Sequence, residues 1–141
     1  MDLRRLTDDF AVAPQIEVAD VAEAAALGYR TLICNRPDGE SADQPPVADI
    51  AAAAEAHGMR FIDIPFSSGA LSMQLIAKFG AALADAPRPA LAYCRSGTRS
   101  CMIWALTRAG EMPTDDILAA AARGGYDMDG LRPTLESGKL W

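Results

Sequence analysis

Short apolar runs and helical apolar stripes alternate along this chain. Phe10-Ala11-Val12-Ala13, closed by Pro14, predicts a short strand. Val18, Val21, Ala22 and Ala25 then recur at i, i+3, i+4 and i+7, with Glu17, Asp20 and Glu23 off the stripe. That spacing predicts an amphipathic helix that stops at Gly28. Residues 29–34, Tyr-Arg-Thr-Leu-Ile-Cys, predict a buried strand running into a turn-rich loop, Asn35-Arg36-Pro37-Asp38-Gly39-Glu40. A second helix is expected over residues 47–57, with Val47, Ile50, Ala51 and Ala54 inward and Gly58 as its stop. Residues 60–64 form the next expected strand, cut off by Pro65, followed by a loop of small residues at 66–70. Ser72 has the character of an N-cap, for a helix with Leu75, Ile76, Phe79 and Leu83 on one face. Ala90–Tyr93 is the last expected strand, and a polar loop then leads into a largely apolar helix. Thr114 should cap a further helix, with Asp115 and Asp116 in its first turn, that ends at Gly124. The tail, residues 126–141, should form one short helix packed through Leu131, Leu135 or Trp141.

Strands alternating with helices predict an α/β fold in three layers. A mostly parallel sheet of four to five strands should carry helices on both faces, within a single domain over residues 1–141. Ligands of such folds bind beyond the carboxyl ends of the strands. The loops that start at Cys34, Phe66 and Cys94 all leave strands at that end.

Composition narrows the partners. Half of the 141 residues are hydrophobic but only 6% are aromatic, so alanine supplies much of the apolar surface and helix should outweigh strand. A net charge of −6 argues against nucleic acid or an anionic membrane as partner, so any bound anion must be captured locally. Asp2, Arg4, Arg5, Asp8 and Asp9 break up the start of the chain, and no apolar run is long enough to span a bilayer. Three unevenly spaced cysteines, no CxxC pair and a single histidine leave no basis for a zinc site, and no metal or cofactor is expected. A reduced, cytoplasmic setting is the expectation.

The candidate chemistry lies in Cys94-Arg95-Ser96-Gly97-Thr98-Arg99-Ser100, a tight loop between strand and helix. Amides at a helix N-terminus lack intrahelical acceptors and can turn inward around a small anion. A cysteine at the entrance of such a loop, beside Arg95 and Arg99, should have its pKa drawn from about 8.5 into the range of roughly 3.5–7.5. Cys94 is therefore the expected nucleophile; the plainer alternative is a small buried residue at a strand end.

Tyr93-Cys94-Arg95-Ser96-Gly97-Thr98-Arg99-Ser100 resembles the active-site loop of rhodanese-type sulfurtransferases, in which a cysteine carries a persulfide. The Asp-x-Arg strand end and Gly-His-Ile-Pro-Gly-Ala stretch of that family are missing. Residues 28–40 instead resemble the early strand and loop of dual-specificity-type tyrosine phosphatases. The combination resembles the phosphatase-like domain of β-lactamase-hydrolase-like proteins, often labelled sulfur transferases. That resemblance implies a phosphatase-like fold, a role in persulfide or sulfide handling, and a metallo-β-lactamase-type hydrolase as a candidate partner.

Two departures from the phosphatase pattern point toward sulfur. The phosphatase signature places an arginine after five intervening residues, at position 100, where this chain has Ser100; Arg99 leaves only four between. One residue fewer removes roughly 3.5 Å of contour from a cradle meant for a tetrahedral phosphate. The loop after the middle strand, Pro65-Phe66-Ser67-Ser68-Gly69, also lacks the aspartic acid that would protonate a leaving oxygen. Asp38 is the candidate substitute acid, and Asp63 reads as a structural partner. Tyr93 replaces the usual histidine before the cysteine. Cys34 could resolve an oxidised Cys94 or simply fill the core. Arg36 could extend the positive rim or pair with Glu40. Cys101 reads as packing, His57 as a helix-end contact and Asp115-Asp116 as a helix start.

The expectation from sequence is a cysteine-dependent sulfurtransferase. Cys94 would carry a sulfane sulfur from a small anionic donor such as thiosulfate to a thiol or cyanide. Arg99 and the amides of residues 95–100 would stabilise the anionic sulfur, and Arg95 would draw in the donor. The alternative is a phosphatase acting on a phosphate ester through a Cys94 phosphocysteine. A third reading is a non-catalytic module that binds an anion or senses oxidation.

Overall fold

The computed structural model describes residues 1–138. Five strands form one sheet: β1 (Arg4–Thr7), β2 (Phe10–Ala13), β3 (Thr31–Cys34), β4 (Arg60–Asp63) and β5 (Ala90–Tyr93), in the order β1-β2-β5-β3-β4. All neighbours are parallel except the β1–β2 pair. The fold is thus α/β with a mostly parallel sheet, as the alternation of strand and helix required. β5 is the central strand, in register with β2 on one side and β3 on the other, so Tyr93 lies between Ala13 and Cys34. Cys94 therefore leaves the sheet at its middle, at the carboxyl end.

Two apolar clusters pack the two faces. On one face Ile16, Val21, Ala24, Ile50 and Ala54, from α1 (Val18–Ala26), α2 (Val47–Ala56) and their flanks, meet Ala11, Leu32, Leu91 and Tyr93. On the other face, side chains from α3 (Met73–Asp85), α4 (Thr98–Thr107), α5 (Thr114–Arg123) and α6 (Arg132–Ser137) cover Phe10, Val12, Ile33 and Ala92. Phe10 is stacked on Trp104 at 5.7 Å and meets Phe79 edge-on at 6.4 Å, anchoring β2 between α3 and α4. Ser72 caps α3 as expected, its hydroxyl accepting from the Leu75 N–H at 3.1 Å.

Four expectations need correction. β1 is a strand the apolar pattern does not predict, because only Leu6 in Arg4–Thr7 is buried; it is an antiparallel edge strand with a polar pattern. α1 buries Val21 and Ala24, while Val18 and Ala22 face outward, because the stripe packed into the core runs through Val21, Ala24 and Ala25. At α5 the cap is Pro113 rather than Thr114: its carbonyl accepts from the Asp116 and Ile117 N–H groups, and no side chain caps the turn. The tail contains a 3₁₀ turn, Asp129–Leu131, before α6, with Leu135 buried. The expected packing of Trp141 lies outside the described residues. Among those residues no helix is long and apolar enough to cross a membrane.

Candidate active site

The Cys94 loop is held from three sides. The Cys94 N–H donates to the Ala13 carbonyl, extending the sheet, and the Gln15 N–H donates to the Arg95 carbonyl at 3.2 Å. From below, Asn35 is fully buried and bridges two segments: its amide donates to the Ile64 carbonyl at 2.9 Å and its oxygen accepts from the Ser100 hydroxyl at 2.8 Å. Behind the loop, the Tyr126 hydroxyl donates to the Ser96 carbonyl at 2.9 Å.

The loop turns at Gly97, whose φ of 92° is open to glycine at little cost. That turn sends the Gly97 N–H to the Cys94 sulfur at 3.1 Å. The Ser96 hydroxyl accepts from the Thr98 N–H at 3.3 Å and bonds the Thr98 hydroxyl at 3.0 Å, bracing the exposed side of the loop. Cys94 and Ser100 are fully buried, Arg95, Ser96 and Thr98 are exposed, and Arg99 is half-buried on the first turn of α4.

Arg99 is committed at one end and open along one edge. Its Nη1 and Nη2 donate to the two Glu40 oxygens at 2.8 and 2.6 Å, and Nη1 also donates to the Phe66 carbonyl at 3.0 Å. The Nε–H and the second Nη2–H have no oxygen acceptor among the described residues. Glu40 foremost, and Cys94 after it, hold Arg99 protonated. Two parallel N–H groups on a guanidinium edge are suited to two oxygens of one anion. Glu40, gripped first by Arg99 and then by Arg36, is held down to about 2 and is ionised at neutral pH.

The other residues singled out in the sequence have separate posts. Arg36 is buried and pairs with Glu40 at 3.0 Å, with further bonds to Gln15 and Ser41, so it supports Glu40 rather than forming an outer rim. Asp38 is exposed, and its carboxylate accepts from the Val47 N–H at the start of α2. Cys34 lies on the α1–α2 face, its thiol donating to the Arg36 carbonyl at 3.2 Å; burial pushes it up to about 11. Burial likewise pushes Cys101 up to about 12, and drives the Tyr93 hydroxyl upward. Asp63, beside Cys34 in the β3–β4 register, is raised by partial burial.

Glu40, Asn35 and Tyr126 were not among the site residues expected from sequence. An acidic side chain on a loop leaving the sheet at the cysteine's end was the available signal for Glu40. Asn35, polar directly after a buried strand, carried a weaker one, and Tyr126 none.

A central cysteine on a strand–loop–helix crossing, with an arginine on the helix, defines the class of cysteine-loop phosphatase folds. The chain belongs to the family described as beta-lactamase hydrolase-like protein, phosphatase-like domain, which matches residues 2–111. It is 32% identical over 126 residues to a beta-lactamase hydrolase-like protein of Agrobacterium fabrum, covering 88% of this chain and 29% of that protein. A Xylella fastidiosa relative of the same description is 30% identical, with 91% of this chain and 30% of the relative covered. The chain thus spans less than a third of these curated relatives. Among solved structures, a candidate phosphatase of Neisseria meningitidis is 34% identical, with 99% of each chain covered and a TM-score of 0.86. The catalytic core of the PP-IP phosphatase Siw14 of S. cerevisiae, at 12% identity and a TM-score of 0.68, covers 96% of this chain and 84% of its own; it shares the fold. These relatives favour the phosphatase alternative over the sulfurtransferase expected from sequence.

Proposed function

We propose that this domain is a cysteine-dependent phosphatase for small phosphate monoesters whose leaving groups depart without protonation. The observation that carries the reading is Arg99, clamped by Glu40 at one end while its Nε–H and second Nη2–H take no oxygen acceptor among the described residues, with Cys94 near enough to act on its charge after Glu40. A fork of two donors suits a phosphoryl group, which offers two oxygens at once, better than the single terminal sulfur of a persulfide. The Cys94 thiolate attacks phosphorus, an S–P bond forms, and the ester P–O bond breaks with its electron pair leaving on oxygen. Water then attacks the phosphocysteine and gives up a proton to solvent; inorganic phosphate departs and the thiolate is restored.

The restriction on substrate follows from the acids. Glu40 is ionised, Asp38 is spent at the start of α2, and residues 67–70 carry no carboxylate. Without a general acid the leaving oxygen must be stable as an anion, which favours aryl over alkyl esters. Sulfur transfer through a Cys94 persulfide is the second reading, favoured by the four-residue spacing to Arg99 and by the same missing acid. A metallo-β-lactamase-type hydrolase is the partner we propose for it, on the resemblance given by the sequence.

Hydrolysis of a series of substituted aryl phosphates, beside thiosulfate:cyanide sulfur transfer, tests the pair with wild type and Cys94→Ser. Phosphate release that needs Cys94 and falls steeply as the leaving group becomes more basic is the expected result. A sulfur-transfer rate that needs Cys94, with no ester cleavage, would overturn it.

A further inference from the structure

The Ser96–Gly97 peptide plane is pinned at both ends. Its carbonyl accepts from the Tyr126 hydroxyl at 2.9 Å, and its N–H donates to the Cys94 sulfur at 3.1 Å. In a trans peptide these two groups point in opposite directions, so whatever fixes the carbonyl also aims the N–H. Gly97, with φ 92°, is the residue type at which such a plane rotates with least steric resistance. Rotated, the plane would turn its carbonyl dipole toward the sulfur and withdraw the N–H.

Tyr126 is itself held. The Arg4 guanidinium lies 5.4 Å from the centre of its ring, and Arg4 donates to the Gly124 carbonyl at 2.7 Å while pairing with Asp2 at 3.0 Å. A Cβ on Gly97 would overlap the Tyr126 hydroxyl, so the loop and this ring meet with no spare room. Tyr126 lies beyond residue 111, where the family match ends.

We propose that Tyr126 is a positioning residue for the nucleophile. Its hydroxyl locks the Ser96–Gly97 peptide with the N–H on Cys94, and Arg4, on the edge strand, holds the ring in place. Burial pushes the Tyr126 hydroxyl up to about 12, so it remains a donor at neutral pH. The inference deepens the phosphatase reading, since it takes Cys94 as the nucleophile, and its test needs no substrate.

The experiment is a pH titration of the thiolate ultraviolet absorbance, with Cys94→Ser subtracted, in wild type and Tyr126→Phe. Losing the lock should move the onset of absorbance upward by about half a unit to one unit, the scale of a hydrogen bond to a charged group. kcat for an aryl phosphate should fall roughly three- to tenfold with KM little changed. Arg4→Met, which keeps the stem and removes the cation, should shift the titration in the same direction by less. An unshifted titration in folded Tyr126→Phe overturns the inference, even if the thermal midpoint drops, because that is packing alone. If Tyr126→Phe does not fold, Arg4→Met decides by the same reading. A shifted titration in a protein without phosphatase activity would sink the phosphatase reading and leave Tyr126's role standing.

Discussion

Glu40 and Arg99 face one another through two N–H···O bonds of 2.8 and 2.6 Å, from a loop and a helix start 59 residues apart in sequence. The carboxylate holds the fork at the end of the guanidinium and so fixes the direction of its side edge, where the Nε–H lies. Glu40 is thus an orienting group that stays with the protein. Glu40→Gln retains an oxygen for Arg36 and Arg99 but loses the charge and one of the paired acceptors. Its kcat/KM on an aryl phosphate should fall about tenfold, and Arg99→Lys, which has no fork at all, should lose more. Steady-state kinetics of the two variants checks the order, and an unchanged Glu40→Gln would refute the orienting role.

The same pair gives a signed pH dependence of stability. Folding lowers Glu40 from its ordinary 4.5 to about 2, so the folded chain binds fewer protons there than the unfolded one between those values. The contribution is fully present above about pH 4.5 and is lost as pH falls through about 2. Glu40 is largely solvent-accessible, so the difference should be about 1 kcal/mol or less. Urea midpoints measured from pH 5 to pH 2 should fall more steeply for wild type than for Glu40→Gln.

Asn35 ties β3 to the site through the Ile64 carbonyl and the Ser100 hydroxyl, and it is fully buried. Asn35→Ala strands both partners without water and leaves a small void. A loss of about 2–4 kcal/mol in urea unfolding is expected. Ser100→Ala removes one bond and keeps the Ile64 contact, for a loss of about 1 kcal/mol. Equal losses for the two variants would mean that Asn35 does not act as a bridge.

The parallel strands were legible because each is a continuous apolar run ended by proline or a polar loop, as at Phe10–Ala13 before Pro14. The α3 cap was legible because Ser72 immediately precedes its helix. β1 was not, because an edge strand beneath a helix buries one residue, Leu6, and shows no run to read. In the site, the residues contiguous with Cys94 could be read from the chain itself. The partners that orient them could not: Glu40 meets Arg99, and Tyr126 meets Ser96, only once the sheet has assembled. The missing acid and the short loop are departures from the phosphatase pattern that weigh on which esters can react as much as on which element is transferred.

Cys34 ends the strand beside the one that leads into Cys94, but its protonation suits it poorly to resolve an oxidised Cys94. Cys34 and Tyr93 are paired across β3 and β5 and share the α1–α2 face, whereas the chain carries Cys94 into the loop, where the Gly97 N–H meets its sulfur. The Cys34 thiol donates to the Arg36 carbonyl and is pushed up to about 11 by burial, so only about one molecule in ten thousand carries it as thiolate at neutral pH. A resolving cysteine must attack as a thiolate and must reach the oxidised sulfur. Hydrogen peroxide should therefore take Cys94 to the sulfenic and then the sulfinic acid without forming a Cys34–Cys94 disulfide. Added small thiols should rescue only the first of these products. Peptide mass spectrometry of peroxide-treated wild type and Cys34→Ser should show the same Cys94 products at the same rate, and a cross-linked peptide in wild type would show that the two sulfurs can meet.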